Sequence, residues 1–520
     1  MSTYSQLQDG NYSTVKRNVR TTPSQTGNLE QGDGTPTAVG AYIQSEPRNY
    51  APRTVGAEAP PRFALSTKVG RARGPSFASI AEEDVFGAGS VNTERALVVS
   101  APETPQRALV PLNPGPVPPM IQALRSDMLN FLTNNPSGLP DIQLALDPRY
   151  FPFIESSSQS SPPQHGVIKI KNIPFATKRA EVIAFLGRNS KILNDTQEPV
   201  HIIMERVTSK TQDAYVEFIS LNDAMKAVEK IEHIQQRGRL PRLGDRPVDV
   251  ELSSQSALME DLFPHATGVF WEGCKPRFRP QKEDEPWNHF KGFVSEEEMT
   301  MLVKHVEIPL RSPFSRDCPQ RPYECMISTI KKLPWWRADC ITIRQRHAVY
   351  SATLQLLKLL RASIGRLTTN ETCINTKLLK RLYTAAMLCP GFSVLQKDNL
   401  SFEMNEPDGA QRDFNQPRFP DHWTHLLALG PKPGVPLDVL EFYIAIIREE
   451  TCRHFQRKPL RERAEIDGIH LYTNGYFGYL WQEIGFPRPG EEYDNMTLRT
   501  ASSNELSAIE RVLTRAFYRG

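Results

Sequence analysis

The chain lacks most of the features that announce a chemical function. Its seven cysteines stand at 274, 318, 325, 340, 373, 389 and 452, with no C-x-x-C pair and no Cys/His grouping at zinc-ligand spacing. That excludes the common zinc sites and a disulfide framework, and reads as dispersed reduced thiols. No run of 18 apolar residues occurs, and the opening MSTYSQLQDG has no basic segment followed by an apolar core. Neither a membrane span nor a secretory leader is expected, and the protein reads as soluble and intracellular. A Gly-rich phosphate loop, G-x-S-x-G and H-E-x-x-H are missing, and His289, His305 and His347 lack paired acids at helical metal spacing. No catalysis, metal or cofactor is therefore expected. No block of five or more Lys/Arg marks an import signal, so the residues themselves do not separate nucleus from cytoplasm.

Charge of one sign is also scarce. A net +3 over 520 residues and an isoelectric point near 8.4 are too mild for bulk attraction to nucleic acid or membrane, so any basic footprint must be local. With 43 prolines, 39% hydrophobic residues and a mean hydropathy of −0.44, a sizeable part of the chain is not expected to fold.

The composition then divides the chain. Residues 1–115 are rich in Ser, Thr, Gly, Pro, Gln and Asn without hydrophobic period, which predicts a long disordered N-terminal arm. Within it Arg71 and Arg73 precede Ser76 at the spacing that basic-directed kinases read. Residues 116–163 read as a Pro-rich spacer, a short amphipathic helix carried by Ile121, Leu124, Met128 and Leu132, and a Ser-rich linker. Residues 164–256 alternate as strand, helix, strand, strand, helix, strand: 166–173, a helix through Val182, Phe185 and Leu186, 199–206, 212–219, a helix through Ala224, Ala227, Val228 and Ile231 capped by Ser220 and Asp223, and 247–252. This β-α-β-β-α-β order is the ferredoxin-like, α+β arrangement.

From 265 to 455 the pattern becomes mostly α-helical. A Ser cap and acidic first turn open 295–306, and helices are expected near 321–333, 345–363, 374–388 and 436–450. Residues 456–520 read as a helical or irregular extension. The cluster Lys331, Lys332, Trp335, Trp336, Arg337 has two readings, a clamp for a single strand or tryptophans buried beside a helix end.

The stretch QDAYVEFI (212–219) points Ala214, Val216 and Phe218 one way and Asp213, Tyr215 and Glu217 the other. With N-I-P after the first strand, this resembles an RNA recognition motif (RRM), which stacks bases on its sheet. The three sheet-face positions that usually hold aromatic residues in that family are here Lys169, Asp213 and Tyr215. The exposed face would carry Lys169 and Lys171 against Asp213, Glu217, Asp249 and Glu251, a surface that repels phosphate. Basic residues gather instead in the connections: Lys178, Arg179, Arg206, Lys210, Arg237, Arg239, Arg242 and Arg246.

That combination is similar to the quasi-RRM of the heterogeneous nuclear ribonucleoprotein F/H type, through VIKIKNIPF (167–175), VHIIMER (200–206), AYVEF (214–218) and PVDVELSSQSALMEDL (247–262). Phe175 stands where tryptophan is usual, and Asn172 where glycine is usual. The resemblance implies a protein that holds single-stranded RNA, including guanine-rich RNA, through Lys169, Phe175, Lys178, Arg179, Arg206, Lys210, Tyr215, Arg237, Arg239 and Arg242. It further implies a role in mRNA processing or post-transcriptional regulation and residence in the nucleus, and in the cytoplasm as well if the protein shuttles. Protein partners are expected for the helical domain and the arm. The alternative is a degenerate RRM that serves as a protein-interaction scaffold.

Overall fold

The computed structural model describes residues 117–280, 285–366, 373–407, 409–467, 473–485 and 491–518. The expected disordered arm and the Ser76 motif lie outside the described residues. The chain is mixed α and β, with several small antiparallel sheets among many helices.

The largest sheet has four strands: β1 (Gly166–Lys171), β2 (Val200–Met204), β3 (Thr211–Phe218) and β4 (Asp249–Ser253). Helix α1 (Arg179–Leu186) joins β1 to β2, and α2 (Leu221–Gln236) joins β3 to β4. The strands lie in the order β2-β3-β1-β4, all neighbours antiparallel. Ile168, Ile170, Ile202, Ala214, Val216 and Phe218 face α1 and α2 and close a core on Val182, Leu186, Ala224, Val228 and Ile231, as period-2 and period-3.6 patterns require. Ser220 caps α2 by accepting from the Asp223 N–H at 3.2 Å. Strand β1 starts against that cap, where a Cβ on Gly166 would stand 2.4 Å from the Ser220 carbonyl oxygen.

The opposite face of the sheet departs from the solvated surface expected of it. Helix α3 (Gln255–Leu262), capped by Ser254, turns back over the sheet, and Leu258, Met259 and Leu262 join Val167, Ile203 and Tyr215 in a second core. That core belongs to the helical body: α4 (Glu296–Glu307), the short α5 (Pro313–Asp317), α6 (Arg321–Lys332), α7 (Ile343–Arg366), α8 (Thr376–Met387) and α9 (Val394–Met404). Helix α4 opens on the expected Ser295 cap and acidic first turn, with Glu298 completing a capping box. The sheet is thus sandwiched, its own helices on one side and the helical body on the other.

Residues expected to form a spacer and linker are instead part of a third core. Ser126 ends the proposed single helix: its Oγ accepts from the Leu129 N–H at 3.2 Å and its own N–H donates to Asp438 Oδ2 at 2.7 Å. The cap starts a new helix, Asp127–Leu132, and rotates the buried positions, so Leu129 and Leu132 are buried while Leu124 is exposed. Strand Phe153–Glu155 pairs antiparallel with Leu429–Pro431, and both pack with α10 (Leu437–Gln456) and α11 (Leu498–Phe517). The expected C-terminal extension therefore shares a core with residues far upstream.

Replacing Gly166 by alanine forces the β1 start away from the α2 cap. The Gly166→Ala chain is expected to lose about 1–3 kcal/mol of stability, read as a lower urea midpoint with unchanged slope.

Candidate nucleic-acid interface

The antiparallel register decides where the expected binding residues stand. Met204 pairs with Thr211, and Lys171 with Asp249, so the β1–α1, β2–β3 and α2–β4 connections all emerge at one end of the sheet. The sheet face and that loop end are two different environments.

The face is sealed. Tyr215 is 0% exposed; its hydroxyl donates to Asp261 Oδ2 at 2.5 Å, and Lys169 reaches Asp261 at 2.9 Å and Asp213 at 3.4 Å. The Lys169 ammonium also lies 5.1 Å from the Tyr215 ring centroid. Burial, and then Asp261, push the phenol above its ordinary value. No base reaches this ring while the helical body is docked.

Beside it lies a buried polar cluster. His201 Nε2 is 3.0 Å from Glu217 Oε2 and its Nδ1 is 3.0 Å from Ser328 Oγ on α6. Glu217 Oε1 also accepts from Lys332 Nζ at 2.8 Å and Gln255 Nε2 at 2.6 Å, while Lys332 donates to Gln255 Oε1 at 2.9 Å. Burial alone would raise the Glu217 carboxyl; Lys332 and His201 outweigh it and hold it well below the usual carboxylate range. Ser328, His201 and Glu217 have the hydrogen-bond order of an acyl-transfer triad. The serine, however, is buried inside the seam and the carboxylate is committed to a lysine, so the arrangement fastens two bodies together instead of meeting a substrate.

Arg206 and Arg179, expected on open loops, are in fact buried. Arg206 donates to Glu298 at 2.9 Å, the Leu262 carbonyl at 2.8 Å and Thr329 Oγ1 at 3.1 Å. Arg179 pairs with Asp195 at 2.5 Å and stands 3.5 Å from Glu198, which Arg381 of α8 holds bidentately at 2.8 and 2.7 Å. In the basic-aromatic cluster at 331–337, Lys332 and Trp335 turn inward while Lys331, Trp336 and Arg337 stay half-buried. Trp335 is buried, so close to Gly391 that a Cβ there would overlap its ring, and Lys332 serves Glu217.

The other expected residues gather at the loop end. Phe175, Lys178, Lys210, Arg237, Arg239, Arg242 and Arg246 are all exposed. The Arg246 guanidinium lies 5.7 Å from the Phe175 ring centroid and donates to the Ile173 carbonyl at 3.2 Å. Asn172 turns the chain out of β1 with φ +60°, a left-handed conformation that Asn and Gly tolerate best; its side chain donates to the Pro247 carbonyl at 3.0 Å. Arg237 also ends a shallow groove of about 500 Å³ along α2, with Lys226, Lys230 and His233 on its walls.

Sequence reasoning missed Asp261, Phe314 and Arg321. Arg321 is 0% exposed and ties α6 to the β1–α1 connection through the Thr177 and Phe175 carbonyls at 2.5 and 3.3 Å. The available signal was the acidic sheet face: carboxylates on a strand flanked by core residues call for cations elsewhere in the chain.

Residues 164–273 match the family described as a domain of unknown function, DUF8400, and residues 290–406 match a second domain of unknown function, DUF8399. The pairs Glu217–Lys332, Arg206–Glu298 and Glu198–Arg381 each join one matched segment to the other. No curated protein and no solved structure matches the chain.

Lys332→Met strands the buried Glu217 charge and is expected to cost about 3–5 kcal/mol, with part recovered in the Glu217→Gln, Lys332→Met double variant; denaturant midpoints of the four chains measure it. Because the fold depresses the Glu217 pKa, its ionisation stabilises the folded chain at neutral pH. That contribution is expected to fade as pH falls below the ordinary glutamate value of about 4.3. A Glu217→Gln chain should show a shallower loss of stability on acidification.

Proposed function

We propose that the chain is a non-enzymatic RNA-binding protein whose β-α-β-β-α-β unit is a ferredoxin-like RRM of the quasi-RRM kind. Single-stranded RNA is held at its loop end, and the role, by analogy with that family, is in mRNA processing or post-transcriptional control in the nucleus. The observation that carries this reading is the separation of the two surfaces. The aromatic sheet position is buried, while an exposed phenylalanine with an arginine over its ring stands at the end where Lys178, Lys210 and Arg242 are displayed. Phosphates are met by the loop cations, and an unpaired base by Phe175.

A second reading has its own support. The centre of the sheet face, around Tyr215 and Glu217, is occupied by the chain's own helices, which is what a degenerate RRM used as an interaction scaffold would do. In that case the loop arginines are merely solvated.

Titration of the full chain with guanine-rich and mixed single-stranded RNA across a salt series separates the two. Under the RNA reading, Lys210→Ala with Arg242→Ala lowers the salt slope by about 2. Phe175→Ala weakens binding by about 1–3 kcal/mol, whereas Tyr215→Phe leaves affinity unchanged. Binding that is absent, or that ignores salt and these loop residues, favours the scaffold.

A further inference from the structure

The loop end is not built by the sheet domain alone. The segment 308–317, which belongs to the second matched domain, is bolted across it. Ser312 Oγ donates to the Thr208 carbonyl at 2.7 Å, and His305 Nε2 meets the Arg206 carbonyl at 2.9 Å, with Ser315 Oγ 3.1 Å from its Nδ1. On the neighbouring connection, Cys318 Sγ donates to the Phe175 carbonyl at 3.0 Å. These bonds hold the β1–α1 and β2–β3 connections in fixed positions and bring Phe314 against Phe175 edge to face, ring centroids 5.2 Å apart at 62°. Phe175 keeps 37% of its surface exposed. On the same segment Arg311 and Arg316, three residues before and two after Phe314, are exposed, as is Lys210 on the β2–β3 connection. Asp317 is the anion that partners Arg316, at 3.3 Å.

We propose that the RNA site is composite: the second domain supplies one wall, with Phe314 shaping the stacking surface for an unpaired base and Arg311 and Arg316 meeting the flanking phosphates. This rests on the RNA reading above and adds to it that the sheet domain by itself forms only part of the site. Two rings packed edge to face, on a segment that also carries exposed arginines, suit a base joined to phosphates. An acidic peptide offers the charge but no flat ring to stack.

The test uses the full chain and a labelled single-stranded RNA of mixed sequence, about 12 nucleotides long, followed by fluorescence anisotropy from about 50 to 300 mM salt. Phe314→Ala is expected to weaken binding about 5- to 100-fold, and Phe314→Tyr to restore it. Arg311→Ala with Arg316→Ala is expected to lower the salt slope by about 2. Thermal midpoints report folding; where Phe314→Ala melts early, Phe314→Leu, which keeps apolar volume without the ring, replaces it. If the 314 and 311/316 variants bind as the parent does while Phe175→Ala and Lys210→Ala weaken binding, the composite site is wrong and the RNA reading survives. A parent chain that binds no RNA, or binds polyglutamate equally well, overturns both.

Discussion

Glu217 stands on a central strand with its carboxylate aimed away from the strand's own helices. Everything on that side of the sheet is arranged around it. Lys332, His201 and Gln255 converge on its two oxygens, and through them α6, β2 and α3 meet at one buried point. A buried ion pair adds little net stability over an apolar contact, but leaving either partner unpaired is costly. Its effect is therefore to discriminate: any docking of the helical body that shifts α6 along the sheet leaves Glu217 and Lys332 facing apolar side chains. Arg206 with Glu298, and Arg381 with Glu198, repeat the device at other points of the seam. The apolar residues between them supply the bulk of the driving force.

This seam determines what the molecule can offer to a partner. A four-stranded sheet whose outer face is core to another body at its centre keeps only an acidic edge open, Asp249 and Glu251, and no aromatic platform for planar ligands. What remains open is the end where three connections emerge, and that end is itself made rigid by the same docking, since Arg321 and Cys318 hold the backbone around Phe175. Preorganised loops lose less conformational entropy on binding than free ones, so closing the face and shaping the loop end are consequences of one interface.

Much of the local structure was legible in the residues. Period-2 alternation in 166–171 and 211–218, the Ser220 and Ser295 caps and the long apolar periods of α7 and α10 are set by short-range sterics and hydrogen bonding. The helix through Ile121, Leu124, Met128 and Leu132 was misread because Ser126 caps a new helix and is anchored by Asp438, more than 300 residues away. No local signal announces such a partner.

The candidate site divides in the same way. That Phe175, Lys210 and Arg242 stand on connections between strands and helices follows from their neighbours in sequence, because turns and loops are surface features. Whether an arginine on a connection faces water or a carboxylate of another domain is a long-range matter. Arg206 and Lys210 lie four positions apart, yet one is buried against Glu298 and the other exposed. Alternation alone divides Ala214, Val216 and Phe218 from Asp213, Tyr215 and Glu217. Only the docking of α3 and α6 decides that Tyr215 and Glu217 of the second row, too, lie inside the protein while Asp213 stays half-buried, because burial of a strand's outer face depends on what the rest of the chain brings to it.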